Sequence, residues 1–337
     1  MTSESVTLDS VAALAGVSRQ TVSNALHHPA RLAPRTRDKV LRAVRDSGYR
    51  PSLPARQLAT RRAHAVAVRA DRQQDGISGL VLDTFFHGLA EAGYRSGLRV
   101  VLYPQQSDEP AELALIEELL HTRAADALVL TATSAADQRP AHLSRRGLLF
   151  CAFGRPWGHD AAPHDWVDVD GAHGTGLAVQ HLLDRGHRRI AFLGWPDEDG
   201  TDADRRRGWM EGLDRAEVAG PRLETKTLND ASAAEAAARA LLDRADPPDA
   251  FVCASDTLAL GAHRASVASA GSSRSYGDPA VVGFDATPVA AALGFASVVQ
   301  PIEEAAHTCL ALLLSRLGGD DRDTRGVLLQ PTLRVPT

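Results

Sequence analysis

Three polar side chains near the amino terminus have the chemistry needed to read DNA bases. Arg19, Gln20 and Asn24 share one face of a predicted helix, because positions 20 and 24 lie one turn apart. A guanidinium can pair with O6 and N7 of guanine, and an amide with N6 and N7 of adenine. His27, at the end of the same helix, suits either a phosphate contact or the negative end of the helix dipole. These residues predict a DNA-reading face, and a merely solvated helix surface is the alternative.

Hydroxyl-bearing residues border this face. Serine and threonine hydroxyls donate hydrogen bonds to phosphate oxygens and fix the position of a protein on the duplex. The residues that suit this role are Thr7, Ser18, Thr21 and Ser23. We therefore expect the base-reading side chains to be flanked by groups that hold the DNA backbone.

The elements that must position these side chains are short helices joined by a tight turn. Apolar Val11, Leu14 and Val22 recur at helical spacing, interrupted by the sequence Ala-Gly-Val-Ser. Gly16 can adopt a left-handed turn conformation, and Ser18 can cap the second helix. Two helices crossed by a glycine-containing turn form a helix-turn-helix.

A third helix completes this small module. Residues 34–47 carry Val40, Leu41 and Val44 on one side, and Gly48 suits the position just after the helix. We expect the third helix to close a three-helix core over residues 1–51.

The next segment, residues 52–62, is too short to hold a helix alone in water, because helix nucleation is unfavourable. Ser52 is a plausible cap, and Pro54 would lie in the first turn, where its missing N–H costs little. Such a segment becomes helical when something packs against it. The alternative is a plain linker with Leu58 packed on the domain that follows.

Residues 7–62 resemble the headpiece of the LacI/GalR family of transcriptional repressors. The matching motifs are Thr7-Leu8, Val11-Ala12, Ala15-Gly16-Val17-Ser18, Thr21-Val22-Ser23, Thr36-Arg37, Val40, Ala43, Gly48-Tyr49-Arg50-Pro51, Ala55-Arg56 and Leu58-Ala59. One departure is Ser10, where the family usually carries Asp. The resemblance implies that Tyr49 and Arg56 contact DNA, and that 52–62 is a hinge helix whose Leu58 wedges between base pairs in the minor groove.

Beyond residue 63, short apolar runs alternate with helical patterns. The predicted strands are 65–69, 99–103, 126–131, 148–153, 190–194, 250–254 and 280–284, and the predicted helices are 80–96, 111–122, 172–185, 204–216, 233–244 and 257–270. Apolar strands alternating with helices indicate parallel sheets covered on both faces. The number of elements suits two Rossmann-like lobes in one α/β domain, residues 63–337.

The resemblance to the LacI/GalR family continues through this domain, which it identifies as a two-lobed core like that of periplasmic binding proteins. Matching motifs are Val169-Asp170-Gly171, His181-Leu182-Leu183, Gly186-His187, Gly208-Trp209 and Gly283-Phe284-Asp285. It implies a small effector, expected to be a sugar, bound between the lobes. By the same resemblance Arg205, Ser255 and Asp285 are polar residues of that pocket, with Arg and Asp suited to sugar hydroxyls.

Other candidate pocket residues carry a structural alternative. Phe153 and Arg155 follow a predicted strand and either line the pocket or belong to a structural loop. Asp256 follows Ser255 and either binds ligand or caps the next helix, and Asp170 fits a helix cap better than a ligand contact. The glycines at 171, 174 and 176 lack the order and lysine of a phosphate loop, so close helix packing explains them better.

Composition narrows the class of protein. Residues 1–62 hold 11 Lys and Arg against 4 Asp and Glu, and the remainder holds 26 against 38, so a basic head precedes an acidic body. Cys151 and Cys253 lie in apolar strands and are expected to be core residues. The amino terminus lacks signal-peptide features and no apolar run reaches membrane length, so we expect a cytoplasmic protein without membrane contact.

These observations predict a regulator that binds double-stranded DNA and is not an enzyme. Its two-fold symmetry as a homodimer would match a pseudo-palindromic operator. A dimer is favoured over a tetramer because no leucine heptads follow the last strand-like segment. No metal-ligand or catalytic spacing stands out, so no cofactor and no metal are expected. The first alternative is a regulator of the same kind that responds to a non-sugar metabolite or to a protein co-regulator. More remote alternatives are a sugar-binding protein without a DNA role and an enzyme on a Rossmann-like core.

Overall fold

A computed structural model describes residues 6–27, 31–49, 57, 60, 62–71, 77, 79–158, 163–196, 200–269 and 279–336. The chain divides into two units, residues 1–63 and 64–337. Among the described residues, no helix combines the length and apolarity needed to cross a bilayer.

The first unit, here called the headpiece, is helical. Its described helices are α1 (Leu8–Ala15), α2 (Arg19–His27) and α3 (Pro34–Ser47). They bury a shared core of Val11, Ala12, Ala15, Val22, Ala25, Val40 and Ala43. The predicted three-helix architecture is confirmed.

Local hydrogen bonds fix where the headpiece helices begin and end. Thr7 caps α1 and its N–H donates to the hydroxyl of Ser10 at 2.8 Å, so Ser10 supplies the acceptor of a capping box. Gly16 ends α1 with φ 55°, in the left-handed conformation predicted for it. The Ser18 hydroxyl accepts the N–H of Thr21 at 3.1 Å, which confirms Ser18 as a cap of α2.

One apolar residue of the headpiece is exposed. Leu14 shares the helical spacing of Val11, but its exposed fraction is 58%. The buried face of α1 is formed instead by Val11, Ala12 and Ala15. Leu14 therefore lies on the outer side of α1.

The second unit contains two α/β lobes. Lobe 1 holds β1 (Ala65–Ala70), α4 (Gly79–Arg95), β2 (Arg99–Pro104), α5 (Glu109–His121), β3 (Ala127–Leu130), α6 (Arg139–Arg145), β4 (Phe150–Phe153), β5 (Asp165–Val169), α12 (Ile302–Leu317) and β11 (Gly326–Leu329). Its described strands pair in the order β11-β5-β4-β3-β1-β2, and every pairing is parallel.

Lobe 2 repeats this arrangement. It holds α7 (Gly171–Asp184), β6 (Ile190–Gly194), α8 (Thr201–Arg215), β7 (Glu224–Lys226), α9 (Ala231–Leu242), β8 (Ala250–Cys253), α10 (Asp256–Ser269), β9 (Ala280–Phe284), α11 (Pro288–Leu293), β10 (Ala296–Val299) and β12 (Thr332–Arg334). The described strands pair in the order β12-β10-β9-β8-β6-β7, with β12 alone antiparallel to its neighbour among them.

The backbone passes between the lobes after β5, after β10 and after β11, within the described ranges. The passage after β10 leads into α12, whose side chains join the core of lobe 1. Because the central strands of each sheet are parallel, the loops at their carboxyl ends gather on one edge. Both lobes turn these edges toward the cleft between them.

Close packing of α7 against α8 fixes the side of lobe 2 that faces this cleft. A Cβ added to Gly208 would collide with the carbonyl oxygen of Ala172 and the hydroxyl of Thr175. Gly174 lies under Phe284, where a Cβ would come within 2.9 Å of the ring. A Cβ added to Gly176 would have its nearest neighbour 4.0 Å away. Of the glycines predicted to allow close helix packing, Gly176 is therefore the one that can accept a methyl group.

Two glycine substitutions in this helix pair are therefore expected to have opposite effects. Gly208→Ala should lower the free energy of unfolding by about 1–3 kcal/mol, because the backbone of α7 must move to admit a methyl group. Gly176→Ala should raise it by about 0.5–1 kcal/mol through better helix propensity. Urea denaturation of both variants measures this, and equal effects would contradict the close contact.

Candidate functional site

The base-reading residues predicted on α2 lie together on the headpiece surface. Arg19 and Gln20 are exposed and Asn24 is half-buried. The amide of Gln20 donates to the side-chain oxygen of Asn24 at 3.2 Å, so the two amides form one hydrogen-bonded unit. Arg19 lies 3.9 Å from Asp9, and both side chains are largely exposed. An exposed pair of this kind is weak and leaves the guanidinium available for DNA.

The hydroxyl residues border the same helix. Thr7 is exposed at the start of α1, Ser18 and Thr21 share a 2.9 Å hydrogen bond between their hydroxyls, and Ser23 is half-buried on α2. Tyr49 packs partly against the headpiece core, and burial raises the pKa of its phenol. The side chain of His27, together with Arg56 and Leu58, lies outside the described residues.

A cavity of about 450 Å³ lies in the cleft between the lobes, and we call it the effector cavity. Lobe 1 lines it with Val81, Leu82, Ala132, Thr133, Phe153, Gly154, Trp157, Asp168 and Val169. Lobe 2 lines it with Gly171, Trp195, Thr201, Asp204, Arg205, Asn229, Ser255 and Asp285, and Gln300 borders it where the chain passes between lobes. Aromatic walls and a few polar groups are typical of small-molecule sites.

Arg205 is the buried positive charge of the effector cavity. Its guanidinium lies over the ring of Phe284, 3.7 Å from the ring centre, and donates to the carbonyl of Ala254. Asp285 lies 3.9 Å away. Burial lowers the pKa of Arg205, and the charge of Asp285 opposes that shift. Within the described part of the chain, the Nε atom of Arg205 has no hydrogen-bond partner.

Asp285 is held in an uncommon backbone conformation. It follows β9 with φ 105°, and a non-glycine residue at positive φ is strained. Its N–H donates to the carbonyl of Val298 at 2.9 Å, and its carboxylate accepts the amide of Gln300 at 2.7 Å. These contacts hold the carboxylate beside Arg205, so that an acceptor and a donor face the cavity together.

Ser255 and Asn229 form a second polar pair in lobe 2. The Ser255 hydroxyl donates to the side-chain oxygen of Asn229 at 2.6 Å and accepts the N–H of Leu258 at 3.2 Å. Ser255 therefore caps the start of α10 while lining the cavity. Asn229 follows β7 and is presented to the cavity from the edge of the sheet.

Of the remaining predicted effector residues, one lines the effector cavity and two do not. Phe153 lines the cavity and stacks on Phe85, with ring centres 4.3 Å apart. Arg155 does not border the cavity, because its guanidinium is engaged by Asp168 and Asp204. Asp256 does not border it either.

Asp256 acts inside lobe 2. Its carboxylate accepts the N–H of Thr287 at 2.6 Å, the Thr287 hydroxyl at 2.7 Å and the Ser297 hydroxyl at 2.6 Å. Burial raises its pKa although these three donors oppose the shift. Asp256 thus ties the start of α10 to the loop before α11 and to β10.

Several lining residues were not predicted, although they lie at the carboxyl ends of strands, where open α/β sheets bind ligands. Ser255 and Asp285, which the resemblance indicated, each lie just beyond a strand, and Trp195, Asn229 and Gln300 follow β6, β7 and β10 in the same way. The strands β7 and β10 were not predicted, so neither were the residues at their carboxyl ends. Asp168 lies within β5 and Asp204 within α8. Neither follows the end of a strand, so their sequence positions did not indicate the cavity.

A helix-turn-helix headpiece joined to two α/β lobes with a cavity between them defines a DNA-binding regulator. Residues 7–52 match the family described as bacterial regulatory proteins, lacI family. Residues 82–307 match the periplasmic binding proteins and sugar binding domain of LacI family. The chain therefore belongs to the LacI family of transcriptional regulators, which is not a family of enzymes.

Relatives and solved structures agree with this membership. The HTH-type transcriptional regulator CelR of Thermobifida fusca is 33% identical over 98% of this chain and 97% of its own, and RafR of Escherichia coli is 31% identical over 76% and 75%. A transcriptional regulator CelR–cellobiose complex has a TM-score of 0.71 at 30% identity, covering 98% of this chain and 99% of its own. The lac repressor dimer bound to operator and the anti-inducer ONPF has a TM-score of 0.76 at 25% identity, covering 99% and 98%.

The role of Asp256 can be tested by removing one acceptor oxygen. Asp256→Asn should lower the free energy of unfolding by about 1–3 kcal/mol, because three buried donors share both carboxylate oxygens. Asp230→Asn is the matched control, since Asp230 caps α9 with a single oxygen and Asn caps equally well. Denaturant titration of both variants measures the difference. If Asp256→Asn were as stable as the parent protein, the structural role of Asp256 would be excluded.

Proposed function

We propose that this protein is a homodimeric repressor that acts in the cytoplasm on a pseudo-palindromic operator and is controlled by a neutral sugar. The observation that carries the effector assignment is the donor and acceptor pair of Arg205 and Asp285 against aromatic walls. A guanidinium and a carboxylate side by side can bind neighbouring hydroxyls of one sugar ring. The apolar face of the ring can then pack on an aromatic side chain.

The charges of the effector cavity favour a neutral ligand over an anionic one. Asp168, Asp204 and Asp285 line the cavity, whereas Arg205 is the one cation in its lining as described. Asp285 already faces the guanidinium of Arg205, and Asp168 and Asp204 engage that of Arg155, so a phosphorylated or carboxylated effector would find no unmatched positive charge in this low-dielectric space. Uncharged hydroxyls need no such charge and can both donate and accept.

Relatives support a saccharide. A structure described as a CelR–cellobiose complex resembles this chain over nearly its full length. The effector cavity, at about 450 Å³, lies in the usual range for small-molecule sites. Neutral mono- and disaccharides, with cellobiose among them, are therefore the first compounds to test.

The DNA half of the proposal rests on the headpiece. Arg19, Gln20 and Asn24 would read base edges in the major groove, and Thr7, Ser18, Thr21 and Ser23 would contact phosphates. The lac repressor structure contains a dimer bound to operator, and this chain resembles it along its length. Roles for Arg56 in DNA binding and for Leu58 as a minor-groove wedge stay predictions from the sequence.

Selection of genomic fragments by the purified full chain, with and without a panel of neutral saccharides, tests the whole proposal. Recovery of a palindromic site that one saccharide releases would support both halves. A palindrome that no saccharide affects would retain the DNA role and reject the neutral sugar. Failure to enrich any site would reject the repressor itself.

Arg19→Ala is expected to weaken binding to the selected site by about 1–3 kcal/mol and to relax base preference at one position of each half-site. Loss of a bidentate base contact changes specificity, whereas loss of a surface charge weakens binding to all sequences alike. Arg42→Ala, on the exposed side of α3, is the matched charge control. Repeating the selection with both variants measures this, and an unchanged base profile for Arg19→Ala would exclude it from base reading.

Asp285→Asn is expected to weaken binding of the saccharide identified above at least tenfold while operator affinity stays within twofold. The variant loses the charge that accepts sugar hydroxyls most strongly. Asp108→Asn, at the cap of α5 in lobe 1 and outside the cavity lining, provides a folded control with the same chemical change. Calorimetric titration measures the affinities, and normal affinity in Asp285→Asn would exclude the carboxylate from effector binding.

A further inference from the structure

One arginine connects the two lobes behind two carboxylates that line the effector cavity. Arg155 follows β4 in lobe 1, and its Nε donates to the carboxylate of Asp168 in the same lobe at 2.6 Å. Its two terminal nitrogens donate to the two oxygens of Asp204 in lobe 2, at 3.3 and 3.2 Å. Two parallel bonds from one guanidinium add geometric specificity to a charge-assisted contact, although these are longer than the roughly 2.7–2.9 Å of the strongest such bonds. Its side chain is 19% exposed and that of Asp204 is 5% exposed, so solvent and salt screen the contact little.

Each half of this contact is held in place by its own lobe. In lobe 2, Asp204 also accepts the N–H of Ala172 at 3.1 Å and the guanidinium of Arg207 at 2.5 Å. In lobe 1, Arg155 is fixed by Asp168 and donates to the carbonyl of Val169 at 3.1 Å. Separation of the lobes would therefore break the bonds between Arg155 and Asp204 and leave both charges paired.

This arrangement has the properties of a reversible two-state element. Breaking a buried ion pair is costly mainly when it leaves an unpaired charge, and neither partner would be left unpaired here. Asp168 and Asp204 line the effector cavity from opposite lobes, so a ligand that enters the cavity meets both acidic ends of the contact. A change in the cavity can thus be transmitted to the spacing of the lobes through one guanidinium.

We propose that Arg155 and Asp204 form an interlobe clasp that holds the two lobes together in the absence of effector. Arg155 is a positioning residue in this proposal, because it acts through the two carboxylates and does not itself border the cavity. The clasp sets the ratio of closed to open molecules on which any effector then acts.

Distance measurements between spin labels test the clasp without DNA or effector. Cysteines introduced at Gln138 in lobe 1 and Leu228 in lobe 2 offer exposed attachment points, and the native Cys151, Cys253 and Cys309 are fully buried. Dilution with unlabelled chain removes distances between protomers. The parent protein should give a narrow distribution, and Arg155→Ala should raise the ratio of long to short distances about tenfold.

The control removes an ion pair of similar form that lies within one lobe. Arg206 pairs with Glu224 through two hydrogen bonds, and both belong to lobe 2. Arg206→Ala should leave the distance distribution as in the parent protein. Arg155→Gln, which keeps much of the side-chain length, repeats the test if Arg155→Ala proves unstable in a thermal melt.

The outcomes separate the clasp from the proposed repressor function. A longer distance in the Arg155 variants, with no change in Arg206→Ala, supports the clasp even if no saccharide binds. Distributions that match the parent protein in both Arg155 variants overturn it, whatever the DNA experiments show. A longer distance in Arg206→Ala as well would also overturn it, because general loosening of lobe 2 would then explain the result.

Discussion

The buried positive charge of Arg205 is the constraint around which the effector cavity is built. A guanidinium removed from water is costly, by several kcal/mol, unless hydrogen bonds and opposite charges offset the loss. Lobe 2 provides the carbonyl of Ala254, the ring of Phe284 and the carboxylate of Asp285, all from the ends of β8 and β9. Two neighbouring strands must therefore end at the same level. The strained backbone of Asp285 shows that this placement is stabilised at the expense of local geometry.

Arg205 also depends on the close contact between α7 and α8. The Thr175 hydroxyl, on α7, donates to the carbonyl of Arg205 at 2.7 Å, and the adjacent Gly208 lets the two helix backbones meet. Helix α7 begins directly after the chain leaves β5 of lobe 1. The position of the guanidinium is thus linked by rigid packing to the segment that joins the lobes. A bulky residue at Gly208 would disturb the core and the cavity together.

The sequence predicts those features that depend on neighbouring residues or on burial from both faces. The cap at Ser18 and the turn at Gly16 are local, and the central strands are continuous apolar runs. Helix α12 was not predicted, although its buried residues recur at helical spacing along one face: Ile302, Ala305, Ala306, Cys309, Leu310, Leu312 and Leu313. The pair of Arg155 and Asp204 could not be predicted, because its partners are 49 positions apart and belong to different lobes. The exposure of Leu14 could not be predicted, since spacing alone does not say which face of a short helix is buried.

An interlobe clasp has to be weak to be useful. Coupling between an effector and DNA usually amounts to about 1–3 kcal/mol, and it is reciprocal. If a ligand binds the closed form, its apparent affinity is its intrinsic affinity multiplied by the closed fraction. A clasp worth the roughly 3–5 kcal/mol of a fully buried pair would close nearly every molecule, and effector would have nothing left to shift. Because Arg155 keeps Asp168 and Asp204 keeps Arg207 when the lobes part, opening leaves no unpaired charge. The energy of the clasp is then that of the hydrogen bonds between the lobes alone, which falls within the range that an effector can overcome or reinforce.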